Sequence, residues 1–193
     1  MPLSLRAQSK LGIENYYYSG KPGSNSVVPV VHFETKNSFR GELRYNYEDA
    51  NTLSFFTGKT IAAGKAVQYS ISPMVGLSTG TFTGLSFATN IEIEWKSIYF
   101  SSENQYSMAM KSGYDNFFFS WSELGYDLSD HFFGGLAVQY TRSGGSNKIE
   151  PGFVGGFYLG DLTVPLYAFS PFGPGKYFVV GVIYECNFKK RIK

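Results

Sequence analysis

Along nearly its whole length the chain alternates apolar with polar or small residues at a period of two, and nowhere do 18 apolar residues run in succession. Alternation of this kind marks strands with two unlike faces, and without a long apolar run no transmembrane helix is available. The clearest case is 39–48. Phe39, Gly41, Leu43, Tyr45 and Tyr47 fall on one face, and Arg40, Glu42, Arg44, Asn46 and Glu48 on the other. From residue 85, Leu85, Phe87, Thr89, Ile91, Ile93 and Trp95 oppose Ser86, Ala88, Asn90, Glu92 and Glu94. Near the end, Phe178, Val180, Val182, Tyr184, Cys186 and Phe188 oppose Val179, Gly181, Ile183, Glu185 and Asn187.

Turn signals between such runs predict twelve strands, at 9–19, 26–35, 39–49, 52–62, 66–77, 82–94, 97–107, 115–127, 131–142, 148–159, 162–170 and 177–188. The breaks alternate in size, except that two on the longer side, near Ala50-Asn51 and Ser78 to Thr81, are also short. Lys36-Asn37-Ser38, Ala63-Gly64-Lys65, Lys96, Leu128-Ser129-Asp130 and Gly160-Asp161 are tight, whereas 20–25, 108–114, 143–147 and 170–176 are longer and richer in glycine or polar residues. Pro29, Pro73, Pro151 and Pro165 fall inside proposed strands. Each removes a ladder donor, so bulges or strand ends are expected there, and a count of ten strands stays open.

Many such hairpins can build a soluble sandwich or small barrel with its apolar face inside, or a membrane barrel with that face turned to lipid. Alternation alone does not separate them. Length does better, because membrane-spanning strands need about 9–11 residues against a mode of about 5–6 in globular proteins. The even strand number and the short-turn, long-loop alternation also fit an outer-membrane barrel. Tyr17, Tyr45, Tyr47, Tyr106, Tyr140 and Tyr177 lie near the longer loops, and Phe33, Phe39, Trp95, Phe132, Tyr184 and Phe188 near the tight turns or the C-terminus. Two such bands are what two water–lipid interfaces require. The expected fold is therefore all-β: a transmembrane, antiparallel, up-and-down barrel in the bacterial outer membrane, over 8–188. Residues 1–7, ending in the small Ala7, read as the remnant of a signal peptide, and 189–193 as a short basic periplasmic tail.

The stretch VVPVVHFETKNSFRGELRYNYEDANTLSFFTGK (27–59) and the stretch NFFFSWSELGYDLSDHFFGGLAVQYTR (116–142) resemble an uncharacterised group of small Gram-negative outer-membrane β-barrels. The final strand, ending Tyr184-Glu185-Cys186-Asn187-Phe188, looks like the terminal strand of such barrels. The resemblance implies the fold, the membrane and a contact of that strand's last aromatic with the barrel assembly machinery. The five residues KKRIK after Phe188 depart from the usual ending. No activity comes with the resemblance.

Composition closes off several other functions. A net charge of +2 leaves no basic footprint for nucleic acid, and a single cysteine excludes a disulfide framework or a cysteine-rich zinc site. Gly76-Leu77-Ser78-Thr79-Gly80 matches G-x-S-x-G, but a strand follows it where a nucleophile elbow needs a helix. Gly58-Lys59-Thr60 lacks the first glycine of a phosphate loop, since position 53 is Leu53. His32, beside Glu34, reads as a hydrogen-bonded lumen residue and His131 as a turn residue. No catalytic residue, metal ligand or cofactor is expected, and a lipid-modifying enzyme is the least favoured reading.

Charge on the predicted inner face is the informative feature. By parity the lumen would hold Glu14, His32, Glu34, Arg40, Glu42, Arg44, Glu48, Lys59, Glu92, Glu94, Glu103, Glu123, Glu150 and Glu185, with Trp121, Phe133 and Tyr158 helping to fill it. Burying so many carboxylates dry would cost several kcal/mol each, on the order of the penalty for any desolvated ion, so water or paired partners must be present. If water dominates, the lumen is a narrow acidic channel for small polar or cationic solutes. If pairing dominates, it is a plugged, salt-bridged body with a structural or partner-binding role. Arg40, Glu42, Arg44, Glu92, Glu94 and Glu123 are the candidate selectivity or plug network under either reading.

Overall fold

The computed structural model describes residues 9–20 and 26–188. The expected signal-peptide remnant and basic tail, and most of the first long loop, lie outside them. Among the described residues thirteen strands run antiparallel in chain order: β1 (Ser9–Ser19), β2 (Ser26–Glu34), β3 (Phe39–Tyr45), β4 (Thr52–Lys59), β5 (Ile61–Gly64), β6 (Gln68–Gly80), β7 (Gly84–Trp95), β8 (Ile98–Ala109), β9 (Phe117–Asp127), β10 (Phe132–Ser143), β11 (Ser146–Leu159), β12 (Leu162–Phe169) and β13 (Tyr177–Phe188). Successive strands pair except β4 with β5, which both pair with β6, and β1 pairs with β13 from Ser9↔Phe188 to Ser19↔Phe178, so the sheet closes on itself. Because β4 and β5 occupy one position in the ring, the barrel has the twelve staves expected from the sequence.

The split between β4 and β5 has a local cause. Gly58 pairs with Met74 and Ile61 with Ile71, which is one unbroken register interrupted only opposite Ser72 and Pro73. Pro73 has no N–H to donate. The other three prolines behave alike, and none needs a bulge. Pro29 pairs with Asn15 but lies just beyond the β2–β3 ladder, which begins at Val30↔Arg44. Pro151 pairs with Val138 but precedes the first β11–β12 pair, Gly152↔Phe169. Pro165 pairs with Gly156 and sits in a gap between Thr163↔Ile183 and Leu166↔Val180. Each of these four prolines keeps one neighbour and turns its missing donor toward the other.

The side chains divide as a membrane barrel requires. On β6, Tyr69, Ile71, Val75 and Leu77 are exposed on the outer face while Ser70, Ser72, Met74 and Ser78 are buried inside. The tight turns and the termini share one end, called here the turn end, and the longer loops the other, the loop end. Outward aromatics ring both: Phe33, Phe39, Trp95, Phe132, Tyr184 and Phe188 at the turn end, and Tyr17, Tyr45 and Tyr106 at the loop end.

Two tyrosines assigned to the loop-end ring turn inward instead. β3 ends at Tyr45, and the left-handed Asn46 (φ 59°) breaks the alternation, so that the Tyr47 hydroxyl reaches Glu103 inside the barrel. Tyr177 is 1% exposed, because Phe178 takes the outward position on β13. Lys59 corrects a third expectation. Alternation along β4 places it on the outer face opposite Phe39, at the turn end, where its ammonium can reach the interface.

The outer face of β6 supplies a test of the whole arrangement. Val75→Arg, at mid-strand, is expected to destabilise the barrel in lipid vesicles by about 2–4 kcal/mol, the cost of a cation at the bilayer midplane. Urea titration against the parent reads that difference, and a change within about 0.5 kcal/mol, usual for a solvated surface position, would show that this face meets water.

Candidate functional site

The lumen divides into a packed loop-end half, a narrow neck and an open turn-end vestibule. In the packed half, Tyr18, Trp121, Tyr167, Phe169 and Tyr177 form one aromatic cluster, with Phe169 and Tyr177 stacked at 5.2 Å and Trp121 edge-on to Tyr167 at 5.0 Å. Tyr177 donates to the Gln139 carbonyl at 3.0 Å. Across the bore Phe56, Met74 and Ala88 pack together. Gly76 makes room for Phe56, since a Cβ there would lie 2.4 Å from the ring.

Arg44 forms the centre of the neck. Its guanidinium donates to Glu42 at 3.0 Å and to the Gln105 side-chain carbonyl at 3.0 Å, and lies 4.4 and 4.5 Å from the ring centres of Tyr47 and Phe56. Both members of the ion pair are buried, at 2% and 3% exposure. Arg40 approaches Glu42 from the turn end at 3.4 Å. Gln105 in turn donates to Glu48 at 3.0 Å and Ser107 at 2.8 Å, and Ser54 also donates to Glu48. A planar, always-charged fork between two aromatic rings is a geometry suited to arginine rather than lysine.

Three further carboxylates surround a small void of about 30 Å³ beside Arg44 and Trp121. Each is held by a phenol: Tyr16 donates to Glu14 at 2.7 Å, Tyr47 to Glu103 at 2.9 Å and Tyr167 to Glu123 at 2.8 Å. Below the neck, cavities of about 510 and 660 Å³ share Gln68, Glu92, Glu94 and Ser101 and open toward the turn end. Glu92 accepts from Ser70 at 3.1 Å, and Glu34 from Thr60 at 2.7 Å.

The six candidate residues thus separate. Arg40, Glu42 and Arg44 form one connected group at the neck, Glu123 stands across the neck void, and Glu92 and Glu94 line the vestibule. Trp121 and Phe133 are buried inside as expected, and Tyr158 packs against Phe133 at 4.9 Å. His32 is an inner-wall residue. Its Nδ1 lies 3.0 Å from Glu14, and its ring covers Gly12 so closely that a Cβ there would meet it at 2.2 Å. His131 is exposed in the β9–β10 turn, and its carbonyl accepts from the Tyr158 amide. The sequence reading missed Lys10, which lines the vestibule, and Asp127, which accepts from Tyr158 at 2.9 Å. It also missed the phenols. For Tyr16 and Glu14 the two-residue spacing on one strand was the available signal.

Among solved structures, the chain is similar to the KdgM porin in complex with disordered oligogalacturonate (TM-score 0.66, 10% identity), covering 90% of this chain and 98% of that one. It is also similar to the NanC porin (TM-score 0.54, 12% identity), covering 93% and 99%. No protein-family model matches the sequence, and neither does any curated protein sequence. Identities this low show a shared fold. With the apolar outer face and closed ring described above, the protein is a small outer-membrane β-barrel that shares the fold of these porins.

Arg44 is the residue on which the neck depends. Arg44→Met is expected to destabilise the barrel by up to about 3–5 kcal/mol, the cost of breaking a buried ion pair, because Glu42 would keep only its longer contact with Arg40 at 3.4 Å. Adding Glu42→Gln should recover much of that loss. Urea unfolding of the two single variants and the double variant closes the cycle, and additive effects would show that the pair is not coupled.

Proposed function

We propose that the protein is a passive porin-like channel of narrow bore that prefers small cationic or polar solutes. The carrying observation is the neck. Glu14, Glu103 and Glu123 converge on its void with phenols as hydrogen-bond donors, while Arg40 and Arg44 are both engaged by Glu42. Phenols hold Glu103 and Glu123 without cancelling their charge, while Glu14 is shared between Tyr16 and His32, so carboxylates outnumber the arginines and the constriction carries a net negative field. A ring of carboxylates favours cations in a pore, and the vestibule below adds Glu92 and Glu94. By the usual outer-membrane pattern the turn end is periplasmic and the long loops face outward. The KdgM neighbour is described with oligogalacturonate, a polyanion. A carboxylate-lined neck supports the opposite preference here. No catalytic role is proposed, and His32 is engaged by Glu14 rather than poised beside a serine. Phe188, on the terminal strand beside Ser9, is the residue we assign to contact with the assembly machinery.

A second reading rests on the packed half. Phe56, Gln105, Gln139, Phe169 and Tyr177 are each under 2% exposed, and together they fill the loop end like a core. On that reading the barrel is a closed body with a structural or partner-binding role.

Planar-bilayer recordings separate the two. The channel reading expects a small, stable, cation-selective current whose selectivity falls in Glu103→Gln/Glu123→Gln. Electrical silence from protein shown to be folded and inserted favours the plugged body, and anion selectivity overturns the charge argument.

A further inference from the structure

The apolar outer face is interrupted on β8 and β9. Glu103 and Gln105 point into the lumen from β8, as Trp121 and Glu123 do from β9, so Ser102, Asn104, Ser120 and Ser122 point out. The register sets Ser102 opposite Ser122 and Asn104 opposite Ser120, with Thr89 of β7 opposite Asn104. These are mid-strand positions, flanked along the strands by the pair Phe100 and Leu124 and the pair Tyr106 and Phe118.

The four side chains are linked to one another. Ser102 and Ser122 share a hydrogen bond at 2.8 Å, Asn104 donates to Ser102 at 3.0 Å, and Ser120 donates to Asn104 at 2.8 Å. Those bonds use three of the five hydrogens that three hydroxyls and one amide can donate. One Asn104 N–H and one hydroxyl hydrogen of the Ser102–Ser122 pair are left over, with acceptor lone pairs beside them. Hydrocarbon satisfies none of these. The patch also lies below its rim: Ser102 is 7% exposed, against 51% for Leu124 and 49% for Phe87.

We propose that this patch is the contact through which two copies of the chain associate side by side in the membrane. Spare donors and spare acceptors occur together on it, so it complements itself, as the shared surface of a two-fold dimer must. It carries no charge, and so calls for no oppositely charged partner. Small side chains on adjacent strands let two walls approach closely, the condition under which polar contacts form in lipid. A two-fold axis along the membrane normal brings Asn104 against its own copy while both barrels keep the same orientation.

The experiment is cross-linking in intact outer membranes with a short bis-maleimide. Ser120→Cys, made in a Cys186→Ser background, is expected to give an adduct of twice the chain mass, whereas Val31→Cys on the opposite wall gives none. Heat-dependent gel mobility confirms that each variant is folded. Adding Asn104→Leu to the Ser120→Cys protein should lower the cross-linked fraction several-fold without loss of folded barrel. No dimer at Ser120→Cys, an adduct of a different mass, or a yield unchanged by Asn104→Leu would each overturn the proposal. None of these readouts depends on whether the lumen conducts.

Discussion

Hydrocarbon offers no hydrogen-bond partner, so every backbone N–H and C=O that crosses the membrane must find one inside the protein. The rest of this structure follows from that constraint. It forces the first strand onto the last, and the eleven-residue pairing of β1 with β13 meets it. It also dictates where prolines can sit. A closed ring has no edge on which to hide a missing donor, yet four prolines are accommodated because each keeps one ladder and interrupts, or lies just beyond, the other. At Pro73 the accommodation divides a stave in two without shifting its register.

Inside the ring the constraint reverses, since charged groups there need water or partners. The protein uses both, at different depths. Toward the loop end, aromatic faces and two glutamines fill the bore, Lys148 pairs with the buried Glu150, and at the neck Arg44 donates to both Glu42 and Gln105. Toward the turn end, carboxylates line cavities large enough to hold water. The phenol-held carboxylates lie at the boundary between the two halves.

Alternation made the staves and their inner faces legible from the residues alone, because a strand's side chains change sides at every step whatever its neighbours do. The same rule failed where the backbone leaves the strand conformation. Asn46 adopts a left-handed turn, and Tyr47 therefore entered the lumen from a position that parity placed outside. Lys59 was counted on the inner face from the muddled pattern of 52–62, whereas alternation along β4 as it forms places it outside. Which inner residues meet was not legible, because Arg44 and Gln105 are 61 residues apart and come together only through the closure and stagger of the ring. Arg40, Glu42 and Arg44, two apart on one strand, were the part of the network that the sequence could show.

The central claim is that lipid is the solvent for one set of side chains and the barrel's interior the surroundings of the other. A nitroxide scan through residues 69–79 of β6 in lipid bilayers tests it directly. The account predicts that collisions with dissolved oxygen peak at every second position, with maxima at Tyr69, Ile71, Val75 and Leu77 and minima at Ser70, Ser72 and Ser78. A flat profile, the opposite phase, or a chain that stays monodisperse in detergent-free buffer would contradict it.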